Sequence, residues 1–369
     1  MSPFPDAQKT VTPCAAHESM KTLSQLLLSS RKAGPLPPAL YDIDRKDFDD
    51  LVGLAKTNHV IVRGLVIVSA AMIDARDTVR AEWVESELAF ERSRIAQAIE
   101  CLHAVCAAFD GEGFDATVIK SLDHWPDLGS DLDLYTNAPP RQVRALMRKR
   151  FGAETTPRSW GDRLACKWNF KVPGLPELVE IHMGRLGQTG EQVAMATNLP
   201  IRARSVEIDK REFRVPSPAD GIMISTLQRM YRHFFFRLCD IVDTAELAAS
   251  GILDYGELRY LAQQASIWEG VATYLVIVSD YVRKFHGTDL GLPAFVTEAA
   301  RFGGDLVHPG GDFLRVPVLP CGARLYGSQL GGLLRRRELH SSARVGLLPW
   351  LATAAFVGEK LTGNDKGIW

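Results

Sequence analysis

The stretch that most constrains this chain runs from Val118 to Thr136 and reads VIKSLDHWPDLGSDLDLYT. A short apolar run breaks at Lys120-Ser121 into a loop containing Pro and Gly, then resumes as LDLYT, with aspartates at positions 131 and 133. Successive side chains of a strand point to opposite faces, so Asp131 and Asp133 share one face while Leu132 and Leu134 turn to the other, the core side. Two carboxylates are thereby held side by side on a strand backed by apolar packing.

The flanks have a different period. From about Met20 to Phe109 the pattern is helical: LSQLLLSS, FDDLVGLA, and one long amphipathic run from about Ile67 to Ala108, a region poor in obvious chemistry. From Gly111 to Pro216 short strands take over, in ATVIKS, LDLYT, RLACKWNFKV, ELVEIHM, IRARSVEI and EFRVP, with one helix, PRQVRALMRKRF, opened by Pro139 and Pro140. Helices return from Ser217, where Ser217-Pro218 reads as N-cap and first helical residue of one long helix, and a Gly-rich loop is expected over Phe302–Gly322. The expectation is an α+β chain with three regions: helical 1–110 opening in a mobile arm, a mixed-sheet core 111–216, and helical 217–369.

Composition narrows the function classes. With 369 residues, 46% of them hydrophobic, the chain can bury a sizeable core, while a formal net charge of −1 gives no broad attraction to nucleic acid or an anionic membrane. A polyanion site must therefore be a local pocket of Lys and Arg. Six scattered cysteines form no C-x-x-C pair, which fits reduced thiols in a cytoplasmic protein. The apolar segments near Val271 and Val345 are too short to span a bilayer and read as core helices.

Carboxylates spaced by roughly 7 Å along a strand can serve two divalent cations about 3.5 to 4 Å apart, the arrangement used for phosphoryl transfer. Oxygen-only ligands suit Mg²⁺ or Mn²⁺. The pattern D-x-D is weak by itself: Asp42-Ile43-Asp44 and Asp47-Phe48-Asp49 also occur, but in a charged turn leading into a helix. Around the third instance, Gly129-Ser130 supplies backbone freedom and a hydroxyl for a phosphate chain, and Lys120-Ser121 ends the preceding strand at the other mouth of the loop. Alternation in ELVEIHM puts Glu180 and His182 on one face, and alternation in KWNFK puts Lys167, Asn169 and Lys171 together. Glu180 is the candidate third acid, with Lys120, Lys167, Lys171 and His182 as anion contacts. A solvated surface is the competing reading for each lysine and for the Arg335–Arg337 run.

These pieces resemble the nucleotidyltransferase superfamily with the polymerase-β-like fold: an apolar strand, a Gly-Ser pair, a spacer, D-x-D on the next strand and an acid on a later one. More narrowly they resemble a poorly characterised bacterial branch, through VIKS at 118–121, SDLDL at 130–134, VEIH at 179–182 and RHFFFRLCDI at 232–241. Lys120-Ser121 stands where that pattern has Gly-Ser or Lys-Gly. The resemblance, from about Phe114 to Leu247, implies a nucleotidyltransferase-like sheet, an NTP substrate, and Mg²⁺ (or Mn²⁺) held by Asp131, Asp133 and Glu180. It also implies phosphate or acceptor contacts from His233 and Arg237, on the polar face of the helix after Ser217. The acceptor, small molecule or protein, has no sequence signature. Two alternatives stand beside transfer: a degenerate nucleotide-binding regulatory module, and an RNA-directed enzyme acting on a tRNA end, which the near-neutral charge disfavours.

Overall fold

The computed structural model describes residues 13–29 and 37–350. The arm expected at residues 1–14 lies almost wholly outside them, as does the apolar segment after Trp350. The chain is α+β. Four helices come first: α1 (Pro13–Leu28), α2 (Arg45–Thr57), α3 (Ile61–Asp74) and α4 (Thr78–Gly111). The single run expected from Ile67 to Ala108 is two helices, because Asp77 accepts a hydrogen bond from the Arg80 amide at 3.0 Å and starts α4 afresh. Asp44 likewise caps α2 through the Asp47 amide at 2.8 Å, so the two early D-x-D pairs flank a helix start.

The main sheet has the order β1-β2-β5-β4-β3, with β1 at Thr117–Val118, β2 at Asp131–Thr136, β3 at Glu154–Thr155, β4 at Lys167–Lys171 and β5 at Leu178–Met183. It is mixed: β2 runs parallel to β5, and the other pairs are antiparallel. Register sets Asp133 directly beside Glu180, and Glu180 beside Asn169. Leu132, Leu134, Val179 and Ile181 are all buried on the opposite face, as alternation requires. Helix α5 (Pro140–Phe151) crosses between β2 and β3, and α6 (Trp160–Leu164) takes the residues before Ala165, so the strand expected over RLACKWNFKV begins only at Lys167. After β5, α7 (Val193–Arg202) absorbs the start of IRARSVEI, and β6 (Arg204–Ile208) with β7 (Arg211–Val215) forms a separate hairpin.

The C-terminal region differs most from expectation. The helix opened by Ser217, α8 (Pro218–Gln228), ends in a π-helical turn at Arg229–His233. Phe234 then adopts left-handed backbone, φ 53°, and Phe235-Phe236 forms β8. Within the Gly-rich segment read as loop, β9 (His308–Gly310) pairs with β10 (Phe313–Arg315), and β10 pairs with β8. Partners some 80 residues away in sequence override the local helical period. Helices α9 (Leu238–Ala249), α10 (Tyr255–Gln264), α11 (Trp268–His286), α12 (Ala294–Thr297), α13 (Ala323–Arg335) and α14 (Leu339–Gly346) complete the region, with Leu275, Ile277 and Val278 of α11 fully buried. No helix among the described residues is long and apolar enough to cross a membrane.

Charged contacts across the three regions fix the loop before β2. Helix α3 has no side-chain cap of its own; buried Asp127 supplies it, accepting from the Val62 amide at 2.6 Å and from the Arg63 amide at 3.3 Å. Arg63 returns its guanidinium to Asp127 at 2.9 Å and reaches Asp243 of α9 at 2.6 Å. Asp127→Ala removes the cap and one partner of a buried cation, and roughly 3 kcal/mol of stability is expected to go with it. Equilibrium denaturation measures this; a loss within experimental error would mean that the loop is not held from α3.

Candidate functional site

One cavity of about 250 Å³ collects most of the predicted residues. Asp131, Asp133 and Glu180 line it from β2 and β5, and Lys167 enters from β4. Two carboxylates as deeply buried as Asp133 and Glu180 need counter-charge. Lys120 supplies it, 2.5 Å from Asp133 and 3.7 Å from Glu180, while Lys167 bridges Glu180 at 2.8 Å and Asp162 at 3.0 Å. Burial works against the charge on Lys120, but Asp133 and Glu180 outweigh it. Burial would also raise Glu180, yet Lys120, Lys167 and the His182 ring at 2.9 Å hold it well below the usual carboxylate range. For Asp133, burial and the charge of Glu180 prevail over Lys120 and push the carboxyl up. The two titrate as a pair. Asp131, more exposed, is raised by burial and by Glu180, against Lys120 and Lys167.

Across the cavity lies a basic wall made by the π-helical turn and the start of α9: Arg229, Arg232, His233 and Arg237. Arg229 is buried and paired with Asp240 at 2.7 Å. Arg237 is different. Its backbone amide donates to Asp240 at 2.7 Å, but its buried Nε has no hydrogen-bond partner among the described residues, and burial and Arg229 both lower its hold on the proton. Burial, then Arg232, Arg229, Arg237 and Lys120, drive His233 down to about 2, so its ring is neutral at physiological pH. These groups face a cavity with cationic charge left over, the setting an anion relieves.

The loop residues divide. Ser121 is buried, with its hydroxyl oxygen 3.2 Å from the Asp131 carbonyl and accepting the Asp133 amide at 2.7 Å, so it clamps β2 at the cavity edge. Lys120 takes the left-handed backbone, φ 66°, that a glycine would adopt freely, which accounts for a turn persisting without Gly at this place. Gly129 is required for a reason other than backbone freedom: a Cβ there would sit 2.8 Å from Cε1 of His59. Ser130 is exposed at the mouth, its hydroxyl 3.4 Å from Asp131. Arg94 of α4 holds the loop by donating to the Leu128 carbonyl at 3.2 Å and by pairing with Glu177 before β5.

Two expected contacts fall elsewhere. Lys171 is exposed at the far end of β4, opposite Leu178, and does not line the cavity. His182 opens on a neighbouring pocket, behind Glu180; burial lowers it to about 4, so it serves as a neutral donor that orients the carboxylate. Sequence reasoning also missed His59, Arg232 and His124, all lining the cavity. His59 comes from the region read as poor in chemistry, and nothing in its local sequence marks it. Arg232, beside His233, was within reach of the basic pattern RHFFFR.

No family model matches this sequence, and no curated protein does. Among solved structures, an antigenic nucleotidyltransferase-like protein from Paracoccidioides brasiliensis is similar at 13% identity and a TM-score of 0.30, over 47% of this chain and 90% of that one. A likeness that loose fixes neither fold nor function.

The two carboxylates of the donor group suit a hard divalent ion, whereas its third member, the His182 imidazole, is already bonded to Glu180. Asp133 and Glu180, with His182, offer ligand atoms within 4.8 Å of one another, and the Lys120 ammonium stands between the two carboxylates as a cation in waiting. The cationic crowding gives a direct check. Histidine-labelled NMR should find His233 unprotonated between pH 8 and 5, and inorganic tripolyphosphate should raise its pKa. Titration near the ordinary 6.5 in the free protein would mean that the ring does not face the arginines.

Proposed function

We propose that this chain is a metal-dependent nucleotidyltransferase that moves an NMP from an NTP to an acceptor hydroxyl, which bonds to the α-phosphorus as the α–β phosphoanhydride breaks and pyrophosphate leaves. The observation that supports it most is the opposition, across one cavity, of Asp131, Asp133 and Glu180 to Arg229, Arg232, His233 and Arg237. One face suits divalent cations and the other a phosphate chain. Asp131, Asp133 and Glu180 would hold Mg²⁺, which when bound neutralises charge on the phosphates. Arg237 and Arg232 bind and orient the triphosphate, and Arg237 gains the partner its Nε lacks. Ser130 adds a hydroxyl at the mouth, and Lys120, released from Asp133, follows the phosphates. His182 and Lys167 keep Glu180 in one orientation. Held beside Asp131, Asp133 and Glu180, the attacking hydroxyl would give up its proton to water, a loss that bound Mg²⁺ favours.

A second reading has its own support: Lys120 and Lys167 already neutralise the carboxylates, which suits a nucleotide-binding module without chemistry. Incubation with each α-labelled NTP, Mg²⁺ and cell extract separates the two. Transfer of label is expected, and Asp133→Asn should lower it by at least about 100-fold while leaving the fold intact. Arg237→Ala should weaken NTP binding by about tenfold or more, a loss of roughly 1.5–3 kcal/mol for a charge-assisted contact. Thermal stabilisation by Mg-NTP without transfer would select the binding module. No stabilisation at millimolar ligand would remove both readings.

A further inference from the structure

A second cluster on the wall of the same cavity has a different chemistry. The α2–α3 turn carries His59 in left-handed backbone, φ 54°, and the preceding Asn58 docks that turn on the start of α9. Asn58 accepts the Leu238 amide with Oδ1 at 3.0 Å and the Cys239 amide with its carbonyl at 3.2 Å, so the turn caps the helix whose second residue is Cys239. The loop before β2 brings in His124, whose ring lies 5.4 Å from that of His59 and whose Nε2 lies 3.7 Å from the Cys239 sulfur. One ligand atom from each of His59, His124 and Cys239 lies within 4.8 Å of the other two, and all three side chains are buried.

Two further features belong to a ligand site rather than to plain packing. Nδ1 of His59, only 9% exposed as a residue, has no hydrogen-bond partner among the described residues, although a buried ring nitrogen ordinarily has one. Asp243 fixes the other nitrogen of His124, Nδ1, at 2.5 Å and is itself held by Arg63 at 2.6 Å. A carboxylate behind a histidine is the usual support of a metal-bound imidazole, since it fixes the tautomer and makes the free nitrogen more basic.

We propose that His59, His124 and Cys239 bind a thiolate-seeking transition-metal ion of the Zn²⁺ class, distinct from the Mg²⁺ assigned to the carboxylates. Two imidazoles and a thiolate suit Zn²⁺, Co²⁺ or Cu⁺ and are poor ligands for Mg²⁺. Burial raises the Cys239 thiol, against the charge of His124, and an ion that binds there displaces its proton. His59 and His124 line the cavity, so an ion would reach this cluster through it. The ion would also tie the α2–α3 turn, the loop before β2 and α9 at one point.

Titration of the metal-free full chain with Co²⁺ decides the matter. Expected is one equivalent bound with a thiolate-to-cobalt charge-transfer band, displaced by Zn²⁺ and unaffected by excess Mg²⁺. Cys239→Ser should abolish the band, and Asp243→Asn should weaken Zn²⁺ binding by about 10–100-fold. Asp133→Asn should leave both intact. Absence of the band in the unsubstituted protein, its persistence in Cys239→Ser, or its loss in Asp133→Asn would each overturn the proposal. The first of these outcomes needs no variant to fold.

Discussion

Everything at the cavity follows from Asp133 and Glu180 lying side by side in the parallel register of β2 and β5, both buried. Such a pair is unstable unless cations reach it, and the two lysines that do so come from different directions. Lys167 arrives along β4 because antiparallel pairing with β5 puts it on the Glu180 face. Lys120 arrives because the chain turns through left-handed backbone at the end of β1. The turn is then stitched to β2 by Ser121.

The loop carrying Gly129 and Ser130 is held by residues remote from it in sequence. Asp127 caps α3, Arg94 of α4 takes the carbonyl of Leu128, and His124 is bound to Asp243 of α9. These contacts explain how a stretch containing Pro and Gly keeps one shape beside the carboxylates. They also couple the region before the sheet to the region after it, through Arg63 between Asp127 and Asp243. The surrounding helices thus belong to the cavity rather than merely enclosing it.

The basic wall depends on a broken helix. Had residues 218–249 formed one continuous helix, Arg229, His233 and Arg237 would have projected along a straight face. The π-helical turn and the reversal at Phe234 instead fold them around the cavity, and Phe235 lines it among them. That break is secured by β8 pairing with β10, so a segment whose glycines suggested only loop shapes the arginines.

The sequence by itself determined the strands that bear the acids. Alternation in SDLDLYT and LVEIHM fixed which side chains share a face, because a strand's period leaves no other choice once the leucines and valines are buried. It also separated Asp131-x-Asp133 from the two earlier pairs, whose setting is a helix start. Tertiary structure decided the rest. Lys171 has the same parity as Lys167 and lies equally far from Asn169, the partner of Glu180, yet only Lys167 reaches Glu180, because it is buried beside Asp162 while Lys171 turns out to solvent. Nothing local could place His59 against Gly129, or His124 beside Cys239, since those contacts join residues tens of positions apart. Whether Phe235 continues a helix or begins a strand was likewise set by a partner strand it meets only when the chain has folded.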